Sequence, residues 1–96
     1  MADLLDADSV RNAVAVLDGW EGGPDAIVRT VGLRSFPAAI EVVDRVARIA
    51  EEMDHHPDID IRWRTLTFRL STHSAGGLTA KDFDLASQID SALPAV

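Results

Sequence analysis

Ninety-six residues, 47% of them hydrophobic, with six glycines and four prolines, read as one folded domain over residues 1–96, which buries about two thirds of the surface its unfolded chain exposes. A formal charge of −7 gives nucleic-acid phosphates and anionic lipid little electrostatic reason to bind. The absence of cysteine excludes a disulfide framework, a thiolate nucleophile and a sulfur-ligated zinc, and leaves three histidines and the carboxylates to carry any chemistry.

The N-terminal stretch MADLLDADSV has neither a basic n-region nor an apolar h-region, and no apolar run approaches the ~20 residues of a membrane span, so the cytoplasm is the expected location. In DADSVRNAVAVL, Val10, Val14 and Leu17 recur at helical spacing and predict a short first helix, with Asp8 or Ser9 as its N-cap. GWEGGPDA places three glycines and a proline around Trp20, and the β-branched AIVRTVGL follows, a pattern that predicts strand, turn and strand. Ser35 then caps a long central helix through SFPAAIEVVDRVARIAEEMDHHP, with Phe36, Ile40, Val43, Ala47 and Ala50 as its apolar stripe. A second stripe, Val42, Val46, Ile49 and Met53, widens the apolar surface, so this helix is expected to pack on a sheet and also to meet another helix or a subunit.

In DIDIRWRTLTFRLST the apolar positions are odd at Ile59, Ile61 and Trp63 and even at Leu66, Phe68 and Leu70. A strand's faces repeat every two residues, so the change of parity requires a turn or bulge near Arg64 and Thr65, and predicts two short strands with Arg62, Thr67 and Arg69 facing away from the core. HSAGGL reads as a loop. TAKDFDLASQIDSAL reads as a third helix, with Phe83, Leu85, Ala86, Ile89 and Leu93 apolar and Thr79 and Asp82 at the spacing of a capping box. The predicted fold is α+β in the order α-β-β-α-β-β-α, a four-stranded antiparallel sheet with the helices packed on one face.

The histidines are crowded between residues 55 and 73. Proline disfavours the α region for the residue before it, so His56 is expected to leave the helix while His55 stays in its last turn. There the helix C-terminus favours imidazolium, and Glu51, one turn earlier, is spaced to accept the His55 N–H. His73 ends a strand at the mouth of a loop, where it can face His55 across a cleft. Two imidazoles of opposite protonation are an acid and a base near neutral pH. The same spacing also fits plain helix-ending and strand-ending roles, and a zinc site of Glu51, His55, His56 and His73. Against the zinc site, adjacent histidines rarely converge on one ion and H-E-x-x-H is absent. Locally, Asp82 reads as a cap, Pro57 as the corner, and Trp20 and Trp63 as core or edge packing.

As a set, Glu51, the HHP of His55 to Pro57, Trp63, His73 and Asp82 resemble, at these spacings, the signature of the pterin-4a-carbinolamine dehydratases, also called 4a-hydroxytetrahydrobiopterin dehydratases. GW before the first strand, DAI in the second, RVA and AE in the central helix and LSTH in the last strand are similar too. The likeness covers roughly residues 18 to 92. The turn EGGP is shorter than in the family, and Val31, Leu33 and Ile40 stand where it often carries aromatics.

The resemblance implies the same α+β fold, a homodimer or a tetramer made of dimers, and neither a metal nor an organic cofactor. It implies loss of water from a 4a-hydroxytetrahydropterin to give quinonoid dihydropterin, returning pterin oxidised by an aromatic amino acid hydroxylase. An acid protonates the C4a oxygen and a base takes the N5 proton. By resemblance the catalytic set is His55, His56 and His73, with His55 and His73 as the acid/base pair and His56 mainly a substrate contact. Asp82 lies near the pterin or orients an imidazole, Trp20 approaches the site, and Glu51 and Pro57 complete it. Relatives of this fold also serve as dimerisation partners of transcription factors or as carboxylase assembly factors, which makes a non-catalytic binding module the alternative. Loss of signature histidines would mark such a module, and all three are present here.

Overall fold

Side-chain oxygens start each of the three helices in the computed structural model, which describes residues 3–94. Helix α1 (Ala7–Ala15) begins at Asp6, whose Oδ1 accepts the Ser9 N–H at 2.7 Å. The cap is therefore neither Asp8 nor Ser9. Both lie inside the first turn, and Ser9 supplies the donor rather than the acceptor. Helix α2 (Phe36–Met53) starts as expected at Ser35, which accepts the Ala38 N–H at 3.1 Å. Helix α3 (Ala80–Ala92) starts on the expected capping box: the Thr79 hydroxyl accepts the Lys81 N–H and the Asp82 carboxylate accepts the Thr79 N–H.

Strands β1 (Glu21–Gly22), β2 (Ile27–Gly32), β3 (Asp58–Arg62) and β4 (Thr65–Leu70) form one antiparallel sheet in the order β1-β2-β4-β3. The pairings Ile27↔Leu70, Arg29↔Phe68 and Val31↔Leu66, with Ile59↔Phe68 and Ile61↔Leu66 on the other side, put all of these residues on one face. Ile27, Leu66, Phe68 and Leu70 on that face are wholly buried, and Val42 and Val46 of α2 and Leu85, Ala86 and Ile89 of α3 complete the core with them. The opposite face carries Thr30, Thr67, Arg69, Asp58, Asp60 and Arg62, none of them buried. The element order is the predicted one, α-β-β-α-β-β-α, with a 3₁₀ turn (His73–Ala75) in the last loop.

One expectation about a side chain is corrected. Trp63 does not continue the core face of Ile59 and Ile61. It is the first residue of the Trp63-Arg64 turn, in a left-handed conformation (φ 55°) and 87% exposed. Tight two-residue hairpin turns draw on positive φ to follow the strand twist, so this change of parity costs a residue its place in the alternation. The stripe Val42, Val46, Ile49 and Met53 meets another helix, as expected: α2 packs against α3, and the Gln88 side-chain N–H of α3 reaches Met53 Sδ at 3.3 Å. Val42 and Val46 have no exposure, and Ile49 and Met53 pack against the same core. Ala38 and Ala39 let the helix sit close; of the stripe through Phe36, Ala50 is buried and Val43 packs against the core, while Phe36, 55% exposed, and Ala47 face out.

Candidate active site

Helix α2 ends because Asp54 turns left-handed (φ 51°, ψ 44°). The Asp54 N–H then bonds the Glu51 carbonyl at 3.2 Å and the His55 N–H reaches back to the Ala50 carbonyl at 3.0 Å, the crossed pair of a left-handed C-terminal cap. His55 is thus already outside the helix, one residue earlier than the proline alone predicts. Asp is among the few non-glycine residues that tolerate this conformation. Pro57 follows, half-buried, and Asp58 opens β3.

The reversal sends the two imidazoles in different directions. His55 turns inward and is 9% exposed, and its Nε2 lies 2.6 Å from Oδ1 of Asp82, which is completely buried in the first turn of α3. His56 stays at the surface and its Nε2 lies 2.7 Å from Oε1 of Glu51. The expected Glu51–His55 contact is therefore replaced by Glu51–His56, since helical i, i+4 spacing no longer holds beyond Asp54.

Asp82 is held by two further donors. Its Oδ2 accepts the Thr72 O–H at 2.7 Å and the Thr79 N–H at 2.9 Å, and the two threonine hydroxyls stand 2.7 Å apart. One carboxylate thus both caps α3 and binds an imidazole, roles that sequence reading offers as alternatives. Buried polar atoms must find partners, and every oxygen here has one. Thr72, 5% exposed, is the residue that sequence reasoning missed, and Thr79, with no exposure, it read only as a cap. Only Thr79 carried a signal, its place at the cap of α3; Thr72 lies ten residues from Asp82, farther along the chain than Ser74 and Ser87.

His73 is exposed and begins the 3₁₀ turn directly after Thr72, rather than ending a strand. Thr72 anchors it. The Thr72 N–H bonds the Gly77 carbonyl at 2.9 Å, and the Thr72 carbonyl accepts the N–H groups of Ala75 and Gly76. The structure thus joins His55 to Asp82 directly and attaches His73 to the same network through its neighbour.

Trp20 stands apart. It is 5% exposed, and its indole N–H donates to Oδ1 of Asp90 at 2.9 Å, an atom that also accepts from Arg29 at 2.8 Å. Asp90 lies eight residues beyond Asp82 on α3, about 12 Å along the axis at 1.5 Å per residue. Among the described residues, no three or more His, Asp or Glu side chains are arranged to hold a metal ion. Glu51–His56 and His55–Asp82 are separate pairs, and the set Glu51, His55, His56 and His73 forms no cage. A cleft of about 470 Å³ lined by Arg29, Leu33, Arg34, Arg45 and Leu93 contains none of the seven candidate residues.

The protein has close relatives. A candidate pterin-4-alpha-carbinolamine dehydratase of Nocardia farcinica is 60% identical over 88 residues, 92% of this chain and 93% of that one. Another from Roseiflexus castenholzii is 54% identical over 94% of this chain and 97% of its own length. Among solved structures, one described as transcriptional coactivator/pterin dehydratase from Brucella melitensis superposes with a TM-score of 0.91 at 29% identity, covering 96% of this chain and all of the other. A pterin dehydratase-like RuBisCO assembly factor of the alpha-carboxysome shares the fold, with a TM-score of 0.65 at 18% identity over 80% of this chain and 89% of its own. A family model described as pterin 4 alpha carbinolamine dehydratase matches residues 3–92, and with relatives this similar along nearly the whole chain, the protein belongs to that family.

Proposed function

We propose that the protein dehydrates a 4a-hydroxytetrahydropterin to the quinonoid dihydropterin, in recycling of a pterin cofactor. The observation that carries this reading is the 2.6 Å bond between His55 and a fully buried Asp82. It gives a nearly buried imidazole a fixed orientation at the end of α2. Relatives named for this activity support it at 54–60% identity. In the reaction the C4a–O bond breaks as its oxygen takes a proton and leaves as water. The N5–H proton goes to a base, and its electron pair forms the C4a=N5 bond. Hydroxide is a poor leaving group, so both transfers need groups that exchange protons near neutral pH, which imidazoles do.

His55 and His73 are the acid/base pair in this proposal. His56, with Glu51 beside it, contacts the substrate, and Pro57 fixes the corner that carries them. Asp82 acts through His55. Trp20, with its N–H taken by Asp90, shapes the fold around the site. The two transfers balance without an oxidant or reductant, so the proposal includes neither metal nor organic cofactor. It also includes a cytoplasmic location, and among the described residues no helix is long and apolar enough to cross a membrane. Self-association, as a homodimer or homotetramer, would use the exposed start of α2, where Phe36 is 55% exposed.

Synthetic 4a-hydroxytetrahydropterin supplies the test, with quinonoid dihydropterin followed against its spontaneous formation. The protein accelerates the reaction and keeps its rate after exhaustive chelation. A rate equal to the spontaneous one would overturn the proposal and favour a non-catalytic binding module. Loss with chelator and recovery with zinc would overturn the metal-free mechanism.

A further inference from the structure

The donors around Asp82 give every proton in the buried network a direction. Thr72 donates its hydroxyl proton to Oδ2 at 2.7 Å and the Thr79 N–H donates to the same atom at 2.9 Å. Since the Thr72 proton is committed, the 2.7 Å contact between the hydroxyls makes Thr79 the donor and Thr72 the acceptor. Thr79 Oγ1 in turn accepts the Lys81 N–H at 3.3 Å. The chain of bonds runs one way, from the backbone of α3 through Thr79 and Thr72 into Asp82, and such chains strengthen their members.

At the end of this chain Asp82 is an acceptor, and the 2.6 Å contact to its Oδ1 is completed by an N–H on His55 Nε2. A neutral imidazole carries one N–H, so its other nitrogen, Nδ1, holds the lone pair. We propose that Thr72 and Thr79 are positioning residues whose hydroxyl relay fixes His55 in the Nε2–H tautomer and leaves Nδ1 as the nitrogen that exchanges the proton with substrate. The last clause rests on the dehydratase reading, whereas the tautomer is a property of the free protein. Without the Thr72 hydroxyl, Oδ2 keeps the Thr79 N–H alone, the carboxylate is free to turn away from Nε2, and the imidazole is no longer held to one tautomer.

The test is ¹⁵N NMR of the histidine side chains in the full chain, without substrate, at a pH where His55 is neutral. The expected spectrum has His55 protonated at Nε2 and unprotonated at Nδ1. Thr72→Val, close in shape but without the hydroxyl, converts this to a mixture of tautomers and lowers kcat about tenfold, the effect of losing one hydrogen bond to a charged group. Thr72→Ser keeps the donor and restores both readouts, which a purely structural role for the threonine methyl would not allow. A wild-type His55 protonated at Nδ1 overturns the proposal without any variant having to fold, and so does a single unchanged tautomer in Thr72→Val. An Nε2–H tautomer in a protein that fails to accelerate dehydration sinks the dehydratase reading and leaves the relay standing.

Discussion

Glu51 and His56, five residues apart in sequence, meet at 2.7 Å across the end of α2 with side chains 79% and 57% exposed. A pair this open to water contributes about 0–1 kcal/mol to folding. Glu51→Ala and His56→Ala therefore leave the urea midpoint nearly unmoved and act on substrate binding. KM rises while kcat holds, the signature of a contact equal in ground and transition states. A large fall in kcat for His56→Ala at unchanged KM would instead move His56 into the proton transfers.

His55 and His73 separate in the opposite way. Replacing either with alanine lowers kcat by about 10²- to 10⁴-fold if each transfers a proton. If each C4a stereoisomer relies on a different imidazole, the double variant is far worse than either single one on a mixture of the two. Stability distinguishes the two. His55→Ala deprives buried Asp82 of a partner, at a cost of about 1–3 kcal/mol. His73 is exposed, and His73→Ala stays within about 0.5 kcal/mol. Steady-state rates and urea unfolding on the same samples check both statements, and near wild-type turnover in a folded double variant would return the histidines to structural roles.

Sedimentation at micromolar concentration is expected to show a species heavier than the 10.4 kDa chain. Phe36→Glu shifts it towards the monomer, because a charge replaces an exposed ring at the start of α2. Folding should survive the change, since an acidic residue suits the first turn of a helix. A wild-type protein that sediments only as a monomer refutes self-association.

Asp6 gives one pH dependence with a definite sign. The Ser9 N–H holds its carboxyl below the 3.8 of an unperturbed side chain. A group depressed in the folded state contributes stability that is present above its unfolded value and is lost as pH falls through the folded one. Asp6→Asn caps α1 without a titrating charge, so the acid-side loss of stability becomes shallower. Urea midpoints at neutral pH and near pH 3 measure the difference, and parallel curves would contradict it.

What the sequence revealed follows from how local each cause is. Ser35 and the Thr79–Asp82 box act within one turn and were legible, as were the alternation of Ile59 and Ile61 and its change of phase before Leu66. The partners of the histidines were legible only in part: the resemblance offered Asp82 to an imidazole without saying which one. The left-handed turn at Asp54 carries no glycine or asparagine to announce it, yet it decides which imidazole goes inward. The His55–Asp82 bond then spans 27 residues, and no spacing rule reaches that far. Of the two stripes on α2, the core one was set by where small residues let the helix approach the sheet, which depends on the partner surface.

Only Asp54, His55, His56 and Pro57 lie between the last turn of α2 and the first residue of β3. One end of this span, Met53, packs on the core, the other enters a strand paired with β4, and His55 ties the middle to Asp82. The loss of freedom needed to order these imidazoles is therefore met when the chain folds, and a ligand arriving later does not meet it again. Affinity and folding stability are joined through the backbone of these residues, whatever a surface side chain such as that of His56 contributes alone. A change that loosens the end of α2 should weaken binding in step with the fold, with no looser, still folded intermediate in which the site alone has come apart.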